Sequence, residues 1–216
     1  MPPSPKVTKE QLINAALEIA SKQGFDKVTA REVGKSLGIS SRPVFTYYES
    51  MNDLKADVWM AAYNRYLEYT VTSNDDERTF QHAGRQVMRF VKEEPALFRL
   101  LCFPTPENPD ASTIGSFSFF EKNYDRFKER IEEDYGLTGE DSKSVFRNMW
   151  IFTLGVAMLV QSGSCPYSDE QLDRLMSEIS LSSCRLYLDF PGLSSDRSML
   201  PKAFHTTFSR RNIKEN

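Results

Sequence analysis

Residues 29–50 read TAREVGKSLGISSRPVFTYYES, and the fold turns on that stretch. Two short helical segments flank Leu37-Gly38-Ile39-Ser40. Glycine lacks a Cβ and accepts the left-handed backbone of a tight turn, so Gly38 ends the first segment. Ile39 can plug the angle between the helices, and Ser40 can cap the second. Val33, Leu37, Val44 and Tyr48 fall where they face inward toward Leu12, Ile19 and Phe25 of a preceding helix, which makes a three-helix module. Helices this short are marginal alone, so one held proud of a small core serves to present its outer side chains.

That outer face carries Ser40, Ser41, Arg42, Pro43 and Thr46: hydrogen-bonding groups, one compact ring and little bulk. Such a face suits the major groove of double-stranded DNA. Arg42 is the expected base reader, because a guanidinium pairs bidentately with guanine. Pro43 is tolerated in a first helical turn, where its missing N–H is not needed, and this sets the helix start close before it. Groups suited to phosphate surround the face. They are the Thr29 hydroxyl, the N–H groups opening the second helix, the Tyr47 hydroxyl, and the backbone at Met51 where a fourth helix starts. Contacts of this second kind position the protein and do not specify sequence.

Working outward, helical periodicity continues through almost the whole chain and no alternating run bounded by hairpin turns stands out, so the expected class is all α. Ser or Thr followed three residues later by an acid or amide marks helix starts at Thr8 with Gln11, Thr29 with Glu32, Ser50 with Asp53 and Ser168 with Gln171. Stops fall at Gly24, Gly38, Pro95, the Pro104 to Pro109 segment, Gly136 and Pro166. About nine helices result, near 8–23, 29–36, 41–47, 51–72, 78–94, 95–103, 112–135, 138–163 and 168–189. The domain reading is a helix-turn-helix module over 1–50 with a flexible arm at 1–7, a helical effector-binding and dimerisation domain over 51–190, and a partly ordered tail over 191–216.

Composition bounds the function. A net charge of -3 excludes a protein that coats nucleic acid with its whole surface but permits a local DNA-binding face. The start of the chain has no apolar stretch behind basic residues and no apolar run reaches bilayer length, so a cytoplasmic protein without a membrane partner is expected. Cys102, Cys165 and Cys184 lack the spacing of a metal or redox site and read as reduced, partly buried thiols, with no metal and no cofactor. Only His82 and His205 are present, neither in a catalytic arrangement, and the acid pairs Asp75-Asp76, Glu93-Glu94 and Glu132-Glu133 read as solvated charge. An enzyme is therefore disfavoured. A helical adaptor or small-molecule-binding protein without DNA binding is the rival.

The run from Thr29 through Tyr47-Tyr48-Glu49-Ser50-Met51-Asn52-Asp53-Leu54 resembles the TetR family signature: a capped helix, a Gly-apolar-Ser turn, an aromatic-rich recognition helix and a Ser-x-x-Asp-Leu start to a long fourth helix. The resemblance covers about the first quarter of the chain. It implies that Thr29 and Tyr47 touch phosphate and that Ser41, Arg42, Pro43 and Thr46 lie over bases. The family's usual His-Phe pair is Tyr47-Tyr48 here, and Met51 stands where Lys is usual.

In the C-terminal part, helix eight carries one stripe of Met149, Phe152, Val156 and Leu159 and another of Trp150, Leu154 and Ala157. A helix in an outer layer needs only one, so the second points to a partner. Leu172, Leu175, Met176, Ile179 and Leu186 form the apolar face of helix nine, with Ser180, Ser182, Ser183 and Cys184 small enough for close approach. Paired with their symmetry mates these helices would make a four-helix homodimer interface, as the resemblance also implies. Trp150 and Gly155 look like part of a pattern in one TetR-type subgroup, with Leu154 in place of its His. Aromatic residues concentrate in the middle, at Phe98, Phe103, Phe117, Phe119, Phe120, Tyr124 and Phe127. Phe117, Phe120, Tyr124 and Phe127 share one face, which core packing explains more simply than a pocket. Phe98, Phe117, Phe120, Tyr124 and Trp150 are the candidate lining of an effector cavity.

Overall fold

A computed structural model describes residues 7–70, 80–103, 116–196 and 198–209, with side chains left out at 81, 116–118, 208 and 209. The described residues are all α. They form α1 (Lys9–Gln23), a turn of 3-10 helix (Phe25–Lys27), α2 (Ala30–Ser36), α3 (Val44–Tyr47), α4 (Met51–Thr70), α5 (Phe80–Glu93), α6 (Pro95–Cys102), α7 (Ser116–Tyr135), α8 (Gly139–Gln161), α9 (Asp169–Asp189) and α10 (Met199–Ser209). The Pro104 to Pro109 segment, Asp75-Asp76 and the arm before Val7 lie outside the described residues.

The expected caps form. Thr8 and Ser168 each make a reciprocal box with the glutamine three residues on. The Ser50 hydroxyl accepts from the Asp53 N–H at 3.3 Å, while the Asp53 carboxylate accepts from the Ser50 N–H at 2.8 Å. Thr29 accepts from the Glu32 N–H at 3.2 Å. Each satisfies donors that a helix start leaves orphaned. Helix α10 was not read from the sequence, where Ser, Pro and basic residues mask its periodicity.

The chain packs as two units, one of Met1–Ser73 with Gln86–Glu121 and the other of Asn74–Arg85 with Lys122–Asn216. In the first, α1 lies against α2, α4 and α6. Leu12, Val33, Val44, Leu54, Tyr66, Phe90, Phe98 and Phe119 are fully buried there. The Tyr66 ring meets Phe90 and Phe119 edge-on at 5.4 and 4.9 Å. Glu94 corrects the reading of the Glu93-Glu94 pair as solvated charge. Its carboxylate is buried, accepting from Ser21 at 2.7 Å and from both Arg65 Nε and Nη2 at 3.2 and 3.0 Å. A buried charge needs such partners, and one residue thereby ties the starts of α6 to α1 and α4.

In the second unit α9 packs along α8. Phe146 stacks on Trp150 at 6.1 Å and also meets Phe80, Tyr124 and Phe127. Asp141 accepts from the Gly192 and Ser194 N–H groups at 2.6 and 3.2 Å, which fastens the connection after α9 to the start of α8. By length and composition α8 is apolar enough to cross a membrane, contrary to the reading that no run is. Val145, Phe146, Met149, Trp150, Val156 and Ala157 within it are buried in its own unit, as in a core helix.

Candidate nucleic-acid interface

The head is built around a close backbone approach. Gly34 in α2 has the Ser40 and Ile39 carbonyl oxygens 2.9 and 3.0 Å from where a Cβ would sit, so the turn can fold back only because that position is glycine. The Gly34 carbonyl in turn accepts from the Ile39 N–H at 2.9 Å. Gly38 has φ +67°, the left-handed backbone expected of it. Sequence reading found Gly38 and missed Gly34, whose φ is ordinary and whose need for glycine is steric.

Beyond the turn, α3 starts at Val44, later than the expected 41. Ser41, Arg42 and Pro43 form its lead-in, their carbonyls accepting from the N–H groups of Val44, Phe45 and Thr46 at 3.2, 3.1 and 3.2 Å. This i to i+3 pattern asks nothing of the missing Pro43 N–H. Val44 and Tyr48 are buried and anchor the segment, with Leu37 half-buried beside them. Ser40, Ser41, Arg42 and Thr46 are exposed and Pro43 is half-buried. Phe45 is 56% exposed on the same segment, an aromatic ring that no core claims. Sequence reading missed it, although its place between the anchors Val44 and Tyr48 already put it outward.

The flanking groups divide. Thr29 is exposed, and since its oxygen accepts from Glu32 its own hydroxyl proton stays available. Met51 is half-buried at the first position of α4. Tyr47 has its hydroxyl engaged within the free chain. Although 43% exposed, its hydroxyl already donates to the Val7 carbonyl at 2.8 Å, and a phenol has only one proton to give.

Elsewhere, the residues expected to line an effector cavity are distributed over both units. Phe98 is sealed in the first core against Phe90 and Phe103. Phe120 is half-exposed in the same unit, where its neighbour Phe119 takes the buried place. Tyr124 and Trp150 meet the same Phe146 ring in the second unit. The Phe117 side chain lies outside the described residues.

The residues of the expected dimer face divide. Met149, Val156 and Leu172 are buried inside the unit, as are Trp150 and Ala157 of the other stripe, so part of each stripe serves the unit's own core. Phe152, Leu175, Ile179 and Ser183 are half-buried, and Leu186 is exposed. Left exposed are Leu159 and Leu186 of the expected stripes, together with Ile151 and Met158 on α8 and, on a different side of α9 from Leu186, Leu181 and Leu188. Two stripes could be read from the spacing, but only packing shows which way they turn.

Two of the three thiols, Cys102 and Cys184, are buried. Burial pushes Cys102 well up, and it raises Cys184 to about 11 against an opposing hydrogen bond with Ser180.

The sequence profile of bacterial regulatory proteins of the tetR family matches residues 12–58, the span from α1 into α4. HTH-type transcriptional repressors of two Mycobacterium tuberculosis strains, and an uncharacterized HTH-type transcriptional regulator of Mycobacterium bovis, are each 21% identical over 112 residues. The match takes in 51% of this chain and 43% of each relative's length.

Proposed function

We propose, on the premise that this chain belongs through its residues 12–58 to the tetR family of bacterial regulatory proteins, that it is a ligand-responsive repressor that binds a palindromic operator as a homodimer in the cytoplasm. Proteins of that family regulate by binding DNA and are not enzymes. The observation that carries the reading is the recognition segment, where buried Val44 and Tyr48 hold Ser41, Arg42, Phe45 and Thr46 outward. Arg42 reads a base edge and Thr29 donates to phosphate. The α4 backbone beside Met51 takes the place of a charged side chain.

One recognition helix spans only a few base pairs. Two related by a twofold axis read half-sites roughly 34–36 Å apart and add their binding free energies. Exposed Ile151, Met158 and Leu159 on α8 and exposed Leu181 and Leu188 on α9 support a second copy as partner, because clustered exposed apolar side chains are costly to leave in water. A small apolar or planar effector fits the aromatic character of the second unit around Tyr124, Phe146 and Trp150. Its binding would shift the population toward a spacing of the heads that misses the operator. Selection of bound duplexes from fragmented genomic DNA tests the whole reading. A recurrent inverted repeat supports it, and recovery of unrelated fragments with no shared element overturns it. A helical adaptor would leave duplex retention unchanged on Arg42→Ala, whereas the regulator loses its operator preference.

A further inference from the structure

With one helical turn in α3, the recognition segment cannot hold its own tilt by internal hydrogen bonds. Its last residues do so instead, in opposite directions. Tyr47 reaches back to the carbonyl of Val7, just ahead of the Thr8 cap of α1, at 2.8 Å. Tyr48 turns inward, and its hydroxyl donates to Asp57 Oδ2 on α4 at 2.9 Å. Lys9 of α1 closes the arrangement, with Nζ 2.8 Å from the same Asp57 oxygen and 5.1 Å from the centre of the Tyr48 ring. One short segment is thus tied to the lead-in of α1 and to α4, through two hydroxyls that the usual His-Phe pair lacks.

We infer that Tyr47 and Tyr48 form a two-sided clamp that sets the orientation of the recognition segment, and so act as positioning residues for the reading of base edges. The inference rests on the duplex-binding reading above and deepens it. Bidentate pairing of Arg42 with a base tolerates little angular error, because hydrogen bonds weaken steeply away from linearity. Attraction to the phosphate backbone has no such requirement and supplies most non-specific binding. Loosening the clamp therefore weakens binding to the correct sequence and leaves binding to any other duplex as it was. A lost phosphate contact weakens both alike.

The test compares the full chain with Tyr47→Phe, Tyr48→Phe and the double variant, each conserving its ring. Affinity is measured on the operator duplex recovered by selection and on a scrambled duplex of equal length. Operator binding is expected to fall by about three- to tenfold for each single change, with the scrambled duplex unaffected. Asp57→Asn, which keeps a carbonyl acceptor for Tyr48, is expected to be milder than Asp57→Ala. Equal losses on both duplexes, or none on either, overturn the clamp. Hydrogen exchange on the free protein decides independently of DNA. Amides of residues 44–48 exchange faster in the variants while those of α8 are unchanged, and unchanged exchange at 44–48 overturns the clamp. If the wild-type chain prefers no duplex at all, the regulator reading fails and the exchange result still judges the clamp.

Discussion

The head up to Ser50 and the α8–α9 pair are both helical and both rest on buried apolar residues, yet their sequences specify them in different ways. In the head the turn joins helices of only seven and four residues, which leaves few ways to place their apolar positions. Once Gly38 and Ser40 set the turn, Val44 and Tyr48 must be inside, and Ser41, Arg42 and Thr46 outside. Helices α8 and α9 have 23 and 21 residues and apolar positions on several faces, so any one stripe could be the core. Short punctuated helices reveal their orientation locally, whereas long apolar ones do not.

Paired substitutions test this difference between the two regions. The largest effect is expected in the cores, where the two regions should behave alike. Phe98→Ala in the first unit and Phe146→Ala in the second, both buried, should each cost about 3–5 kcal/mol in urea unfolding. A small loss at Phe146 would mean that the aromatic cluster of the second unit is loosely packed.

Glycine separates the regions next. Gly34→Ala should destabilise the head by about 1–3 kcal/mol, since a methyl group there meets backbone oxygens that cannot move aside. Gly155→Ala in α8 meets nothing within 4 Å and should stabilise the protomer by roughly 0.5–1 kcal/mol. Thermal unfolding of the two variants reads both signs in one experiment. The caps should again be equivalent, with Thr29→Ala and Ser168→Ala each costing about 1 kcal/mol by the same measurement, because each removes one acceptor from a helix start.

The smallest effect on stability is expected at Ile151, which is 61% exposed. Ile151→Ser should change protomer unfolding by no more than about 0.5 kcal/mol. It should nonetheless weaken self-association in sedimentation, and unchanged association would remove this face from the proposed dimer.

The connection that Asp141 fastens answers to acid. Burial alone would push that carboxyl up, but hydrogen bonds from Gly192 and Ser194 outweigh it and hold the group below the usual carboxylate range. A lowered folded value means that the contribution is complete at neutral pH and disappears as pH falls through that value. Amides of Gly192 and Ser194 should therefore lose protection in acid, once intrinsic exchange is allowed for, and Asp141→Asn should abolish that pH dependence.

The legible part of the molecule follows the same division. Caps at Thr8, Ser50 and Ser168, the turn at Gly38 and the outward Arg42 could be read because each depends on residues within about four positions. Gly34 could not, since its constraint comes from a carbonyl that only the completed turn brings back. Nor could Glu94, because its partners Ser21 and Arg65 are 73 and 29 residues away. Tyr47 was legible as an exposed phenol, but not as one whose proton is already held by Val7.

Capping, turn chemistry and periodicity are short-range, so the residues alone specify an all-helical chain with a helix-turn-helix head and a recognition segment facing out. Which residues of α8 and α9 enter the core, which aromatic rings share a cluster, and which hydroxyls and carboxylates are already engaged emerge from long-range packing. Those outcomes depend on surfaces meeting across long stretches of chain, where many pairings satisfy the same apolar pattern and packing selects one.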